Sequence, residues 1–528
     1  MAKVSRKVWL GVAWLSLLPL IATAQITEPL HLESGLLTGI SGSDPTVRVY
    51  KSIPYAAPPV GALRWRAPEP PSSWEGVREA DAFGPGCIQN VAGSRPPWTE
   101  EFMHQGSVSE DCLYLNVWTA AADASERRPV LMYIHGGGFS EGSGSVAVYD
   151  GEKLATKGLV VVTVNYRLGV LGFLAHPELT AGSGGNASSN FGLFDLVAAL
   201  QWIKEHIAAF GGDPNNVTIA GQSAGAMAVY LLTVAPPAEN LFHRAIVQSG
   251  PGGLASFGLS STHTLARPLS EAEDAGAEFA TATGASSLQE LREMTVDELT
   301  ATPASGGGPL RFGPVMDGYF VPDSVPAIYT RGTQHDVPML MGFNADEPSA
   351  FPGYGKATVE SFREAAGERY GESAEAFLAL YPTNTDEEAG HAQKTSQRDL
   401  AAVALELLAA ERAQTAKTDL YLYYFERGIP WPERPEFGAF HTAEVPYFFH
   451  NLDMLNRPWE SLDRRLADTM LSYWVQFATH GNPNGAGLPE WPAWNGQDMH
   501  FMRLGDPVEP GMLTDQSTRD FFEAYLAE

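Results

Sequence analysis

Short apolar runs rich in β-branched residues punctuate the chain at PVLMYIH (129–135), LVVVTVNY (159–166), NVTIAG (216–221), RAIVQSG (244–250), VPMLMGFN (337–344) and DLYLYYF (419–425). They lack the polar-apolar alternation of a half-exposed strand, so they read as strands covered on both faces. Helical patterns lie between them. In GLFDLVAALQWIKEHIAAF, the residues Leu193, Val197, Leu200, Ile203 and Ile207 recur at helical spacing, and SAGAMAVYLLTV follows NVTIAG directly. This alternation predicts an α/β fold with a large, mostly parallel central sheet flanked by helices.

Two regions depart from the pattern. Leu265 to Leu299 turns acidic and alanine-rich, with EAEDAGAEFATATG and QELREMTVDEL predicting surface helices, and a charged, helix-prone stretch spans roughly 357–416. Both read as helical cap or lid insertions, around 265–305 and 357–416, on one domain covering residues 25–528. PASGGGPLR (303–311) reads as a connector.

The N-terminus changes the picture of where the protein works. Lys3, Arg6 and Lys7 precede an apolar run from Val8 to Ile21 that ends in Ala22-Thr23-Ala24, the layout of a secretory signal peptide cleaved after Ala24. A membrane span would need about 20 apolar residues, so residues 1–24 read as a removable leader. The mature protein is expected to be secreted or periplasmic, with no stable membrane insertion. An oxidising compartment would let the two cysteines, Cys87 and Cys112, form a disulfide; the alternative is two buried free thiols. Asn186-Ala187-Ser188 and Asn216-Val217-Thr218 are glycosylation sequons, of which the second falls on an expected buried strand.

The remaining composition mainly excludes. At 528 residues, with 44% hydrophobic and 18% charged residues, there is ample material for a core. The net charge of −28 repels phosphate, so nucleic acid is not an expected partner.

Chemistry enters at VTIAGQSAGA. Ser223 sits between Gly221 and Gly225 where a strand gives way to a helix, the setting of a nucleophile on a sharp turn. A serine hydroxyl needs a base to take its proton and an acid to orient that base. His441, in a Gly- and aromatic-rich loop after YLYYF, is the candidate base, and Asp346 or Glu347, in FNADEP after VPMLMG, the candidate acid. The order Ser, acid, His is the one α/β-hydrolases use. HGGGF (135–139) follows another strand, and its glycines can turn N–H groups into a cavity. Gly137 and Gly138, with Ala224, would form a three-donor oxyanion hole.

With these residues on the page, the chain resembles the type-B carboxylesterases, the family of para-nitrobenzyl esterases, liver carboxylesterases and cholinesterases. KSIPYAAPPVGALRWRAPEPPSSW, EDCLYLNVW, YIHGGGF, VTVNYRLGVLGFL, FGGDPNNVTIAGQSAGA, FGPVMDGYFVP, GFNADE and FATHGNPN carry the resemblance. It implies the α/β-hydrolase fold and cleavage of small-molecule carboxylic esters without metal or organic cofactor. It also implies Ser223 as nucleophile, Glu347 as acid, His441 as base, and a Cys87–Cys112 disulfide.

Departures narrow the reading. Cholinesterases carry a glutamate immediately before the nucleophile, where this chain has Gln222, and nothing in the sequence places Trp98 in a cation site. Choline esters are therefore not favoured over other esters. Phe139, Trp431, Phe437, Phe440, Phe448 and Phe449 are candidate walls of a gorge. His135 is read as orienting the glycine loop, and Asn165, Tyr166 and Arg167 as bracing the core beneath it. The resemblance also extends to neuroligin-like adhesion proteins, which keep the fold and lose the nucleophile; retention of Ser223, Glu347 and His441 speaks against that alternative.

Overall fold

A computed structural model describes residues 26–91, 93–184, 189–257, 265–301, 312–496 and 500–527. The leader at 1–24, the connector at 303–311 and the sequon at Asn186 lie outside the described residues.

An eleven-stranded sheet runs through the molecule. In chain order its strands are β1 (Ile40–Ser41), β2 (Arg48–Pro54), β3 (Tyr114–Thr119), β4 (Arg128–Ile134), β5 (Val160–Val164), β6 (Gly212–Gln222), β7 (Arg244–Gln248), β8 (Met339–Asn344), β9 (Leu420–Phe425), β10 (Phe501–Leu504) and β11 (Glu509–Gly511). In space they lie in the order β11-β10-β9-β8-β7-β6-β4-β5-β3-β2-β1. All pairings from β10 to β5 are parallel, and those at both edges are antiparallel. The apolar runs thus mark the parallel interior, where every residue of β5, β8 and β9 is buried. The antiparallel edge strands carry polar positions and were not legible as runs.

Strand β4 lies between β5 on one side and β6 on the other. The chain passes from β4 to β5, then returns through helix α1 (Phe191–His206) to β6 and continues into α2 (Ala224–Leu232). At such a reversal the loops leaving the carboxyl ends diverge and open a crevice. The glycine loop after β4 and the Ser223 turn after β6 stand on its two sides.

The two insertions are tied into the body. Helix α3 (Leu269–Thr283) buries Phe279 in a cluster with Leu171, Leu174, Phe191, Leu291 and Leu299, so this segment carries an apolar face of its own. Helix α4 (Asp386–Ala413) contributes Ala401, Leu405 and Leu408 to the main core. Elsewhere α4 meets Phe362, Phe377 and, from the C-terminal helix α5 (Gln516–Ala527), Phe522. Among the described residues no helix is long and apolar enough to cross a membrane.

Two devices hold the floor of the crevice. Cys87 and Cys112 form a disulfide across a sequence separation of 25, a loop whose closure restricts the unfolded chain by about 3.5 kcal/mol. The fully buried Asp195 accepts from Arg167 three times, from N at 3.0 Å, Nε at 2.8 Å and Nη2 at 2.6 Å. Two residues on, Gly169 N–H donates to Phe139 O at 2.7 Å, so the pair underpins the glycine loop. Replacing Asp195 by Ala leaves a buried guanidinium uncompensated and is expected to cost about 3–5 kcal/mol in urea unfolding; a loss under about 1 kcal/mol would refute the bracing role.

Candidate active site

The turn after β6 has a shape that few residues tolerate. Ser223 adopts φ 58° and ψ −123°, a region costly for a residue with a Cβ. It is held there by its N–H donating to Gln248 O at 2.9 Å on the neighbouring strand. The flanking glycines have steric causes. A Cβ on Gly225 would lie 2.1 Å from Ile134 O, and one on Gly221 would lie 2.5 Å from the Gly225 carbonyl carbon. Helix α2 therefore starts hard against β4, with the Ala224 N–H at its first position.

The glycine loop meets this turn from the other side. A Cβ on Gly136 would stand 3.0 Å from the Ser223 Cβ. Gly137 and Gly138 have φ of 103° and 61°, and a Cβ on Gly137 would strike Glu141 O at 2.1 Å. Among the described residues no backbone carbonyl accepts from the Gly137 or Gly138 N–H.

His135 is buried with its ring stacked on Tyr166 at 4.5 Å, and its Nδ1 donates to Gly136 O at 2.8 Å. Burial pushes its pKa down to about 4, so it is a neutral brace of the loop. Asn165 Oδ1 accepts from Ser143 Oγ at 2.9 Å and Gly144 N at 2.8 Å. From the disulfide loop, Gln89 Oε1 accepts from Gly142 N and its Nε2 donates to Gly142 O, both at 2.7 Å. Gln89 gave no signal in the sequence.

The structure brings His441 between Ser223 and Glu347. Its Nε2 lies 2.7 Å from Ser223 Oγ, and its Nδ1 hydrogen-bonds Glu347 Oε2. Glu347 is 1% exposed, and its other oxygen accepts from Asn344 N at 2.9 Å. Asp346, the alternative acid, faces elsewhere. Its oxygens accept from Ala439 N at 3.0 Å, Tyr354 Oη at 3.0 Å and Arg398 Nη2 at 2.7 Å.

The loop around His441 is pinned almost residue by residue. Ser349 Oγ donates to Phe437 O at 2.7 Å, Asn344 Nδ2 to Phe440 O at 2.8 Å, and Gln222 Nε2 to His441 O at 2.5 Å. Trp98 Nε1 donates to Thr442 Oγ1 at 3.0 Å. Phe257 closes one side, its ring edge-on to the imidazole at 5.1 Å.

The aromatic candidates divide. Phe139, Phe448 and Phe449 are fully buried, Phe139 against Phe173 and the other two against Tyr133, so these three are core and not wall. Phe437 and Phe440 are buried in the same core, Phe440 packed on Phe102 at 5.7 Å, and of the six candidates Trp431 alone is partly buried, on Phe437 at 5.5 Å. The Trp98 ring has the Arg95 guanidinium over it at 5.3 Å. The second sequon is engaged, with Asn216 Nδ2 donating to Thr479 O at 3.4 Å and its Oδ1 accepting from Arg244.

Glu444 was not singled out in the sequence, although it lies three residues past His441. It is fully buried, accepts from Asn344 Nδ2 at 2.5 Å and lies 3.4 Å from Ser249 Oγ. Burial first, then the nearby Glu347 charge, push its pKa up to about 8. A carboxyl with a raised folded pKa binds its proton more tightly folded than unfolded. Its contribution to stability is therefore full below the ordinary carboxylate pKa and lost as pH rises toward about 8. Glu444→Gln, which cannot titrate, is expected to flatten the fall of melting temperature between about pH 5 and 8. Parallel curves for the two proteins would show that Glu444 does not hold its proton.

The carboxylesterase family matches residues 27–521 of the chain. The fumonisin B1 esterase of Sphingopyxis macrogoltabida is 38% identical over 95% of this chain and 92% of its own. The para-nitrobenzyl esterase of Bacillus subtilis (strain 168) is 35% identical over 88% and 92%. A solved PNB esterase structure superposes with a TM-score of 0.77 at 32% identity, covering 95% of this chain and 99% of its own. The crevice at the sheet's reversal is thus found in a chain that belongs to the carboxylesterase family and is a carboxylic-ester hydrolase of the α/β-hydrolase fold.

Proposed function

We propose that the protein cleaves small-molecule carboxylic esters through an acyl-enzyme on Ser223. The observation that carries this reading is the hydrogen-bonded line from Ser223 Oγ through the His441 imidazole to Glu347. Ser223 Oγ attacks the carbonyl carbon as its proton passes to His441 Nε2, and Glu347 stabilises the imidazolium through Nδ1. The carbonyl oxygen, now negative, takes the N–H groups of Gly137, Gly138 and Ala224. Collapse returns the proton from Nε2 to the departing alkoxide. Water then attacks the acyl carbon, losing one proton to the same nitrogen, and the carboxylic acid leaves as that nitrogen returns the proton to Ser223 Oγ; the acid then ionises in solvent.

With Arg95 lying over Trp98, one face of that ring already holds a cation, which disfavours it as a site for a substrate ammonium. Relatives named for fumonisin B1 and para-nitrobenzyl esters set the first substrates to try. Export is part of the proposal, supported by the charged and apolar leader before Ala24 and by the Cys87–Cys112 disulfide.

Ser223→Ala is expected to cut kcat for para-nitrophenyl butyrate by about 10⁴- to 10⁶-fold and to abolish labelling by a fluorophosphonate, with an unchanged melting temperature. Turnover near the wild-type rate would end the triad reading. For export, N-terminal sequencing of protein from a periplasmic or culture-fluid fraction is expected to begin at Gln25; a start at Met1 or Ala2 would overturn it.

A further inference from the structure

Beside the three reacting groups lies one buried side chain without a part in the chemistry just described. Gln222 is 1% exposed and occupies the last position of β6, where its main chain is in register with Gln248 of β7. Its Nε2 donates to the main-chain oxygen of His441 at 2.5 Å. The next residue, Ser223, meets the ring of the same histidine at 2.7 Å. Two consecutive residues on one rigid strand end thus grip His441 by backbone and by imidazole.

Resting on the triad reading above, we propose that Gln222 is a positioning residue whose amide fixes the His441 main chain so that the imidazole spans Ser223 and Glu347. The identity of the group matters because a carbonyl oxygen only accepts. An amide supplies the donor. A carboxylate, which cholinesterases carry at this place, would lack that donor and would add a negative charge near the imidazole. The other groups facing this loop do not replace the contact. Glu347 holds Nδ1, Phe257 packs on the ring, and Glu444 engages Asn344 and Ser249. Among the described residues, Glu347 and Glu444 are titratable groups placed against or within this loop, and a substitution at Gln222 leaves both in place.

The experiment compares Gln222→Met, which keeps the volume and removes the donor, with Gln222→Glu. Each preparation is normalised to active sites by a fluorophosphonate end point and checked by thermal melting. With para-nitrophenyl acetate, Gln222→Met is expected to lower kcat by about ten- to a hundredfold, as slight misplacement of a base does. KM should stay within about twofold and the acid limb of the kcat/KM profile should not move. Gln222→Glu is expected to raise the acid limb by about one pH unit, since a nearby anion favours the imidazolium. Wild-type kcat in Gln222→Met, with or without a lowered melting temperature, would overturn the proposal, as would an unmoved acid limb in Gln222→Glu. Full activity of Ser223→Ala would instead remove the triad reading beneath it, so the two failures are distinguishable.

Discussion

Placing an imidazole that belongs to no helix or strand is the constraint on which the site depends. Ser223 and His441 are 218 positions apart, yet Oγ and Nε2 stand 2.7 Å from each other. The His441 loop between Phe437 and Glu444 holds this geometry through hydrogen bonds from outside itself. They come from the ends of β6 and β8 and from the loop closed by the disulfide. Each donor sits on an element that the core or a covalent bond already fixes. The precision of the sheet is thereby passed to a segment without a regular ladder of its own, which is what a preorganised site requires.

The Ser223 turn shows the opposite strategy. Ser223 is forced into a backbone conformation that costs on the order of 1–3 kcal/mol, and steric closeness keeps it there. Glycines at 221 and 225 allow β6, α2 and β4 to pack with no room for a side chain. Relaxing the turn would separate elements that bury apolar surface. The strain is stabilised by packing, while the loop opposite is stabilised by polar contacts.

The parallel interior of the sheet was legible because strands covered on both faces become unbroken apolar runs. The antiparallel edges were not, since they mix polar residues such as Arg48, Lys51, Asn116 and Thr119 with apolar ones over short lengths. Ser223, Glu347 and His441 could be picked out because each follows a strand and belongs to a family motif. Their supports could not. Gln89, Asn344 and Glu444 act through a few hydrogen bonds each to backbone or polar side chains, and such contacts leave no periodicity or composition to read. Phe448 and Phe449 misled for a related reason, because an aromatic residue looks alike in sequence whether it lines a cavity or fills a core.

The segment between Cys87 and Cys112 behaves as an arch standing on several feet. Gln89 plants one beside the glycine loop and Trp98 another beside the base, while Asn90, Val91 and Gly93 through Pro96 face solvent between them. Length can change between Gln89 and Arg95 without moving either foot, whereas Arg95 itself is paired with Trp98 through the main chain. Variation among descendants, and any attempt to graft a new rim onto the pocket, therefore has its freest ground there, a few residues from two contacts that tolerate almost none.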